Sequence, residues 1–402
     1  MGKIFKTLFD KYDSYKESNL RSDFVSHSEL KQQIEKLFSN KNFQVTQIGK
    51  SIEGRDIFSI KFGKGKRKIL AWSQMHGDEP TATSALFDLI NFFSANDEFN
   101  EFRNGILEEL EIHFIPMLNP DGAEKYQREN AFNIDLNRDA LKFQSDESKL
   151  LWDYSQKLKP EFGFNLHDQN SYYAAGRKNK TAAISFLAPP IDYSKSINYT
   201  REKAMQVISI LNKALQEFIA ENIARYSDDF EPRAFGDNFM KSGISTILIE
   251  SGFYKNDLKK DFVRKLNFIS ILTALDSIAK ELYKKEFYAD YFEIPENTEI
   301  FFDLLLRNLT LNFNFRKFTV DVGINRIKKF NSINKEFYFE GIIAGFGDLS
   351  TFYGLEEFDL QEFELNFADN FKIDAPANFL IYKNDQPYYQ VKDGFLTNLN
   401  GS

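Results

Sequence analysis

The sequence predicts an α/β protein, a mixed, largely parallel sheet flanked by helices, followed by a smaller C-terminal β-rich domain. Three observations predict it. Apolar runs of strand length alternate with helical stretches over about residues 43–285. Near FEIPENTE (292–299) the texture changes to alternating β-type runs separated by turn residues. The chain also holds 43 Phe and 18 Tyr but only 20 Gly and 10 Pro. Each buried aromatic removes about 150–250 Å² from water, so a large core of mostly regular elements is within reach. At 402 residues two domains are expected, at 1–292 and 300–402.

The elements follow in order. SELKQQIEKLF (28–38) spaces Leu30, Ile34 and Leu37 as one helix face, with Ser28 as a candidate cap. Residues 43–49 and 55–62 read as strands joined by KSIEG. KILAWSQM (68–75) is an apolar strand, HGDEP a loop, and TATSALFDLINFF (81–93) a helix; Pro80 suits its first turn, where a missing N–H costs nothing. LEIHFIPML (110–118) is a strand ending in the turn NPDG (119–122). A helix over SKLLWDYSQKL (148–158) precedes a short buried strand, FGFNL (162–166). Residues 195–225 read as one long helix, STILIE (245–250) as a strand, and about 258–285 as a closing helix. Beyond them LTLNFNF, TVDVGI, EFYFEGII, FELNF, NFLIYKN and PYYQV read as strands of the second domain.

Composition narrows the chemistry. Net charge is −8, from 51 basic and 59 acidic residues, so no basic footprint points to nucleic acid. The absence of cysteine excludes disulfides, thiol nucleophiles and thiolate metal sites. Only His27, His76, His113 and His167 can supply imidazole. The N-terminus lacks the apolar run of a signal peptide and no apolar run approaches 18 residues, so a cytoplasmic location without a membrane partner is the expectation.

In open α/β sheets ligands bind outside the carboxyl ends of the strands. The four apolar strand runs end in His76 and Glu79, in Asn119, in His167 and in Glu250. His76-x-x-Glu79 with a distant His167 makes a two-His, one-carboxylate set of the kind that binds Zn²⁺ and leaves one position for water. Glu250 is then a candidate base for the water's proton. Taken alone, H-x-x-E is no more than a surface loop, and a Glu ending a strand can simply face solvent.

IGKSIEGR (48–55), MHGDEP (75–80), NPDG (119–122), IDLNRD (134–139), NLHDQ (165–169) and LIESG (248–252) together resemble, in order and context, the zinc metallocarboxypeptidases of the carboxypeptidase A-like family. The resemblance covers about residues 25–285. It implies a zinc carboxypeptidase-like catalytic domain with one Zn²⁺ per chain, held by His76, Glu79 and His167. It further implies that Glu250 activates water and passes the proton to the leaving amine, and that Arg128 stabilises the oxyanion. Asn137 and Arg138 match the pair that grips the substrate's terminal carboxylate, a task suited to arginine's planar fork.

Three departures bear on the substrate. Asp78 stands where the digestive enzymes carry an arginine. The stretch RYSDDFEPRAFGDNF (225–239), where a mobile tyrosine and the specificity determinant would lie, offers Tyr226 for the first and Asp228, Asp229, Asp237 and Arg233 for the second. NLHDQ also resembles succinylglutamate desuccinylase and aspartoacylase-like deacylases, with Asp168 and Gln169 as supporting or solvent-facing residues. The implied substrate is therefore a peptide or peptidoglycan-type amide; a small N-acyl amino acid, or a non-catalytic binding role, are the alternatives. His113 reads as a packed strand residue and His27 as exposed; Tyr172 and Tyr173 could line a pocket. APANFLIYKNDQPYYQVKDG (375–394) weakly resembles a small β-domain found at the ends of metal-dependent amidohydrolases. Without histidine, that domain is expected to cover an edge, shape a cleft or make an oligomer contact. Oligomeric state and side-chain preference are not legible.

Overall fold

A computed structural model describes residues 2–313, 316–331, 333–334, 336–366 and 372–400. The chain divides into two compact units, the first Met1–Asn170 with Ala182–Asn297, the second Ser171–Thr181 with Thr298–Ser402.

The first unit opens with α1 (Gly2–Asp10), α2 (His27–Leu37), β1 (Gln44–Lys50), β2 (Asp56–Phe62), β3 (Arg67–Trp72), α3 (Thr81–Ser94), α4 (Asn100–Glu109), β4 (Leu110–Ile115) and α5 (Pro120–Lys125). It continues with α6 (Asp146–Leu158) and β5 (Phe162–Asp168). After β6 (Tyr173–Ala175), which belongs to the second unit, come β7 (Ile184–Leu187), α7 (Tyr199–Leu215), β8 (Ile223–Arg225), α8 (Phe235–Lys241), β9 (Ser245–Ser251) and α9 (Asp261–Ala279). The strands form one sheet in the order β1-β2-β4-β3-β5-β9-β7-β8. β4, β3, β5 and β9 run parallel at its centre, while β1–β2, β2–β4 and β9–β7 pair antiparallel. From β3 the chain moves first to β4 and then back across to β5, so the order reverses around β3, which is where such sheets place their ligands.

Burial explains the central strands and helices. β3, β4 and β5 are almost wholly buried, as expected of parallel strands covered on both faces. α9 is apolar nearly all round because it packs against both α3 and α7. Truncating a residue such as Leu272, fully buried there, is expected to cost about 2–5 kcal/mol. A smaller cluster that includes Trp72, Phe235 and Phe239 fills the other face beneath α8.

Some elements differ from the sequence reading. α2 is capped by Ser26 rather than Ser28: Ser26 and Glu29 form a reciprocal capping box. The expected helix over 195–225 stops at Leu215, and Ile223–Arg225 becomes an edge strand paired with β7. No Gly or Pro marks that stop; Glu221 makes the turn in left-handed backbone at φ 67°. The closing helix is likewise shorter, and the strand runs 68–75 and 110–118 give way to loop after Trp72 and Ile115.

The second unit comprises β10 (Asn297–Glu299) from Thr298 onward, paired with β6, and an eight-stranded sheet. Its strands are β11 (Phe301–Phe313), β12 (Arg316–Asn331), β13 (Glu336–Gly347), β14 (Tyr353–Asp359), β15 (Glu364–Asn366), β16 (Phe379–Lys383), β17 (Gln386–Lys392) and β18 (Phe395–Asn398). The ends of the LTLNFNF and FELNF runs, residues 314–315 and 367, lie outside the described residues. Inward-facing Leu304, Leu306, Val322, Ile324, Ile343 and Ile381 form its small core. Among the described residues no helix is long and apolar enough to cross a membrane.

Candidate active site

The loops after β3 and β4 are locked together before any catalytic group is placed. Gln74 takes left-handed backbone at φ 45° and its buried amide donates to Val25 O and Gly77 O. Asn119 caps α5 by accepting from Gly122 N, and its amide donates to Met75 O and Arg128 O. Gly77 meets Gly122 backbone to backbone: a Cβ on Gly77 would lie 2.1 Å from the Gly122 carbonyl carbon, so only glycine fits. Segment 17–25 clasps the start of α3 from outside, with Thr81 Oγ1 donating to Ser22 O and Ser84 Oγ to Arg21 O. That segment is anchored by fully buried Arg264, which donates to Leu20 O, Glu17 O and the buried carboxylate of Asp88.

This frame delivers His76, Glu79 and His167 to one point. His76 Nδ1 lies 2.8 Å from Glu79 Oε1, and His167 Nδ1 lies 2.7 Å from Glu79 Oε2. All three are buried and their ligating atoms lie within 4.8 Å of one another. The backbone N–H of Asp168 donates to Glu79 Oε2 at 3.2 Å. The outer nitrogen of each ring is also occupied: His76 Nε2 faces Asp135 Oδ1 at 3.1 Å, and His167 Nε2 lies 3.4 Å from the Asn137 amide nitrogen. Two Nδ1 atoms and a carboxylate facing inward, with a carboxylate oriented on the back of one ring, is the donor set of a zinc site. The residues therefore fit Zn²⁺.

Electrostatics fit the same reading. Burial opposes charge on His76, yet Glu79 and Asp135 raise it to about 9. Burial likewise opposes charge on Glu79, and the two imidazoles overcome it, holding the carboxyl well below its ordinary range. Burial holds the His167 ring below its ordinary value, and a divalent cation would take the place of the proton on His76.

Glu250, next to last in β9, lies directly beside His167 in the sheet register and opposite Ser185 of β7. Its carboxyl group makes no hydrogen bond among the described residues. Burial, then the charge of Glu79, push it up to about 8. Arg128 reaches in from the NPDG side, donating to Glu79 Oε1 and Asp135 Oδ2, each at 3.2 Å. Asn137 and Arg138 sit on the turn after Asp135, whose side chain caps it by accepting from Asn137 N. Asn137 Oδ1 accepts from Phe235 N at the start of α8.

The remaining candidates separate clearly. Asp228 is bound by fully buried Arg201 and by Lys195, and so braces a loop. Asp229 is exposed and pairs with Lys195. Asp237 is buried in the first turn of α8 and accepts from Glu231 N; burial lifts its carboxyl to about 7. Arg233 pairs with Glu231. Tyr226 follows β8, its N–H donating to Phe186 O. Asp78 lies in the metal loop with one carboxylate oxygen buried and unpartnered; burial, then Glu79, raise it to about 6. Asp168 accepts from Thr81 and Lys260, and Gln169 is buried with its amide on Ala182 O, so neither faces solvent. Tyr172 and Tyr173 lie in the second unit.

His113 is packed in β4 against Tyr154, as expected. His27 is not exposed: it is buried, with Nε2 3.0 Å from Asp56 O. Sequence reading missed Asp135, the acid behind His76. Its signal was available in IDLNRD, where it stands two residues before Asn137. It also missed Glu231.

Residues 30–217 match the family model described as zinc carboxypeptidase. Carboxypeptidase SOL1 of Arabidopsis thaliana is 28% identical over 226 residues, covering 48% of this chain and 45% of that protein. Mouse carboxypeptidase M is 31% identical over 107 residues, 23% of this chain and 24% of that protein. The chain thus spans less than half the length of these curated relatives. Among solved structures, a metallo-carboxypeptidase from Burkholderia cenocepacia aligns with TM-score 0.52 at 13% identity, covering 65% of this chain and 70% of that one. One from Pseudomonas aeruginosa, in complex with (2-guanidinoethylmercapto)succinic acid, aligns with TM-score 0.51 at 15% identity over 64% and 70% of the two chains. At these identities the structural likeness speaks for the fold.

Proposed function

We propose that the chain, whose residues 30–217 match the zinc carboxypeptidase family model, is a zinc-dependent metallocarboxypeptidase that removes the C-terminal residue of a peptide or peptidoglycan-type substrate. The observation that carries this is the convergence of both Nδ1 atoms on the Glu79 carboxylate, beside Glu250 and within reach of Arg128. Bound at His76, Glu79 and His167, zinc supplies a Lewis acid that polarises the scissile carbonyl and acidifies water.

The protein's own groups do the rest. Arg138, with Asn137 beside it, receives the terminal carboxylate and sets the last peptide bond against the metal residues. Glu250, whose carboxyl has no hydrogen-bond partner among the described residues, takes a proton from the attacking water and returns it to the leaving amine. A carboxyl group raised toward neutrality is suited to both halves of that transfer. Arg128 places a fixed cation where the carbonyl oxygen gains charge. Asp135 holds His76 and Arg128 in their orientations. Replacing Glu250 by Gln tests the assignment: zinc content should be unchanged while turnover falls about 10²–10⁴-fold. Equal rates in the two proteins would remove the role.

A further inference from the structure

We propose that Glu231 is a positioning residue for Arg138: clamped by Arg233, it holds the guanidinium in the orientation that meets a substrate's terminal carboxylate. The inference rests on the carboxypeptidase reading, which gives Arg138 that partner.

The geometry is specific. Glu231 Oε2 lies 3.5 Å from Arg138 Nε. Arg138 Nη1 donates to its own neighbour, Asn137 O, at 2.9 Å. These two contacts hold the guanidinium at Nε and at Nη1, on opposite edges of its plane, and among the described residues Nη2 donates no hydrogen bond. Glu231 is itself held at both oxygens, Oε1 by Arg233 Nε at 2.9 Å and Arg233 N at 3.1 Å, Oε2 by Arg233 Nη2 at 2.7 Å. Its backbone N–H donates to Asp237 Oδ1 at 3.0 Å, so the buried start of α8 fixes the main chain as well. The two loops are also stitched directly, Ala140 N donating to Arg233 O and Phe235 N to Asn137 Oδ1, each at 3.0 Å. Hydrogen bonds from Arg233 keep Glu231 ionised down to about 2.

An exposed charge pair of this kind adds little to stability. Arg138 is 40% exposed at its side chain and carries a long, rotamer-rich stem, and Glu231 is its one ion-pair partner among the described residues. Orientation and simple charge predict opposite signs. An anion beside Arg138 repels an incoming carboxylate, so on charge alone its removal strengthens binding. On orientation, removal weakens it, since a misplaced positioning group costs up to about a hundredfold.

The test is calorimetric titration of the metal-free full chain with free L-phenylalanine, L-lysine and L-glutamine, followed by kinetics of the zinc-loaded protein. Glu231→Gln should weaken all three ligands by about tenfold. It should raise KM by a similar factor with kcat unchanged, at an unaltered thermal midpoint. Arg233→Ala, which frees Glu231 without touching Arg138, should act in the same direction. Unchanged or tighter binding by both variants would overturn the proposal. So would a loss confined to lysine, which would make Glu231 a charge partner for the substrate side chain. Failure of the underlying reading looks different: Arg138→Ala would then bind all three amino acids as well as the wild type, or the wild type would bind none.

Discussion

The residues that would hold the metal and those that would grip the substrate lie side by side yet are built differently. His76, Glu79 and His167 have side chains 2%, 9% and 3% exposed, on or just beyond sheet strands and braced by backbone N–H groups and glycine contacts. Arg128 and Arg138 are each 40% exposed, borne on loops, and oriented by other charged side chains. The difference follows from their tasks. A metal site must exclude water and fix its donors, whereas a carboxylate clamp must open to each substrate and release each product.

The most disruptive changes attack the buried half. His76→Ala or His167→Ala should take metal content from about one zinc per chain to none, whereas His27→Ala and His113→Ala should leave it unchanged. Retained zinc in His167→Ala would dissolve the distinction between the two regions. Next comes the group that spans both. Arg128→Ala should lower kcat by about 10²–10³-fold with zinc content intact. Asp135→Asn, which loosens both His76 and Arg128, should cost about 10–100-fold in metal affinity or activity.

The smallest effect sharpens the loop half. Asp237 keeps its proton in the folded protein up to about 7, while an unfolded Asp releases it near pH 4. The folded state therefore binds more protons between those values, and its stability falls as pH rises through them. Asp237→Asn removes that slope while keeping an acceptor for Glu231 N. Thermal midpoints of the metal-free proteins should thus diverge in favour of the variant between pH 5 and 8. Parallel curves would mean that Asp237 is ionised throughout.

The same division decides what could be read from the sequence. The grouping of His76, Glu79, His167 and Glu250 at one end of the sheet was legible because apolar strand runs announce where a sheet ends, and ligands gather there. Glu231 was not, and Asp237 stood out only as one of four candidate charges, because nothing local separates a loop charge that faces solvent from one that orients an arginine 93 residues away in the chain. His27 was misread for a similar reason: its partner is the carbonyl of Asp56, a distant backbone group with no sequence signature. The long helix was overextended because LNKALQEFIAEN keeps a helical pattern with no Gly or Pro to stop it.

The most direct test of the account is mass spectrometry of a peptide incubated with the zinc-loaded protein, in two forms that differ only in a free or an amidated C-terminus. A site whose metal half cleaves and whose arginine half grips a terminal carboxylate should shorten the free acid by one residue and leave the amide intact. Equal cleavage of both forms, cleavage at an internal bond, or no cleavage of a peptide set while N-acyl amino acids are hydrolysed would contradict it.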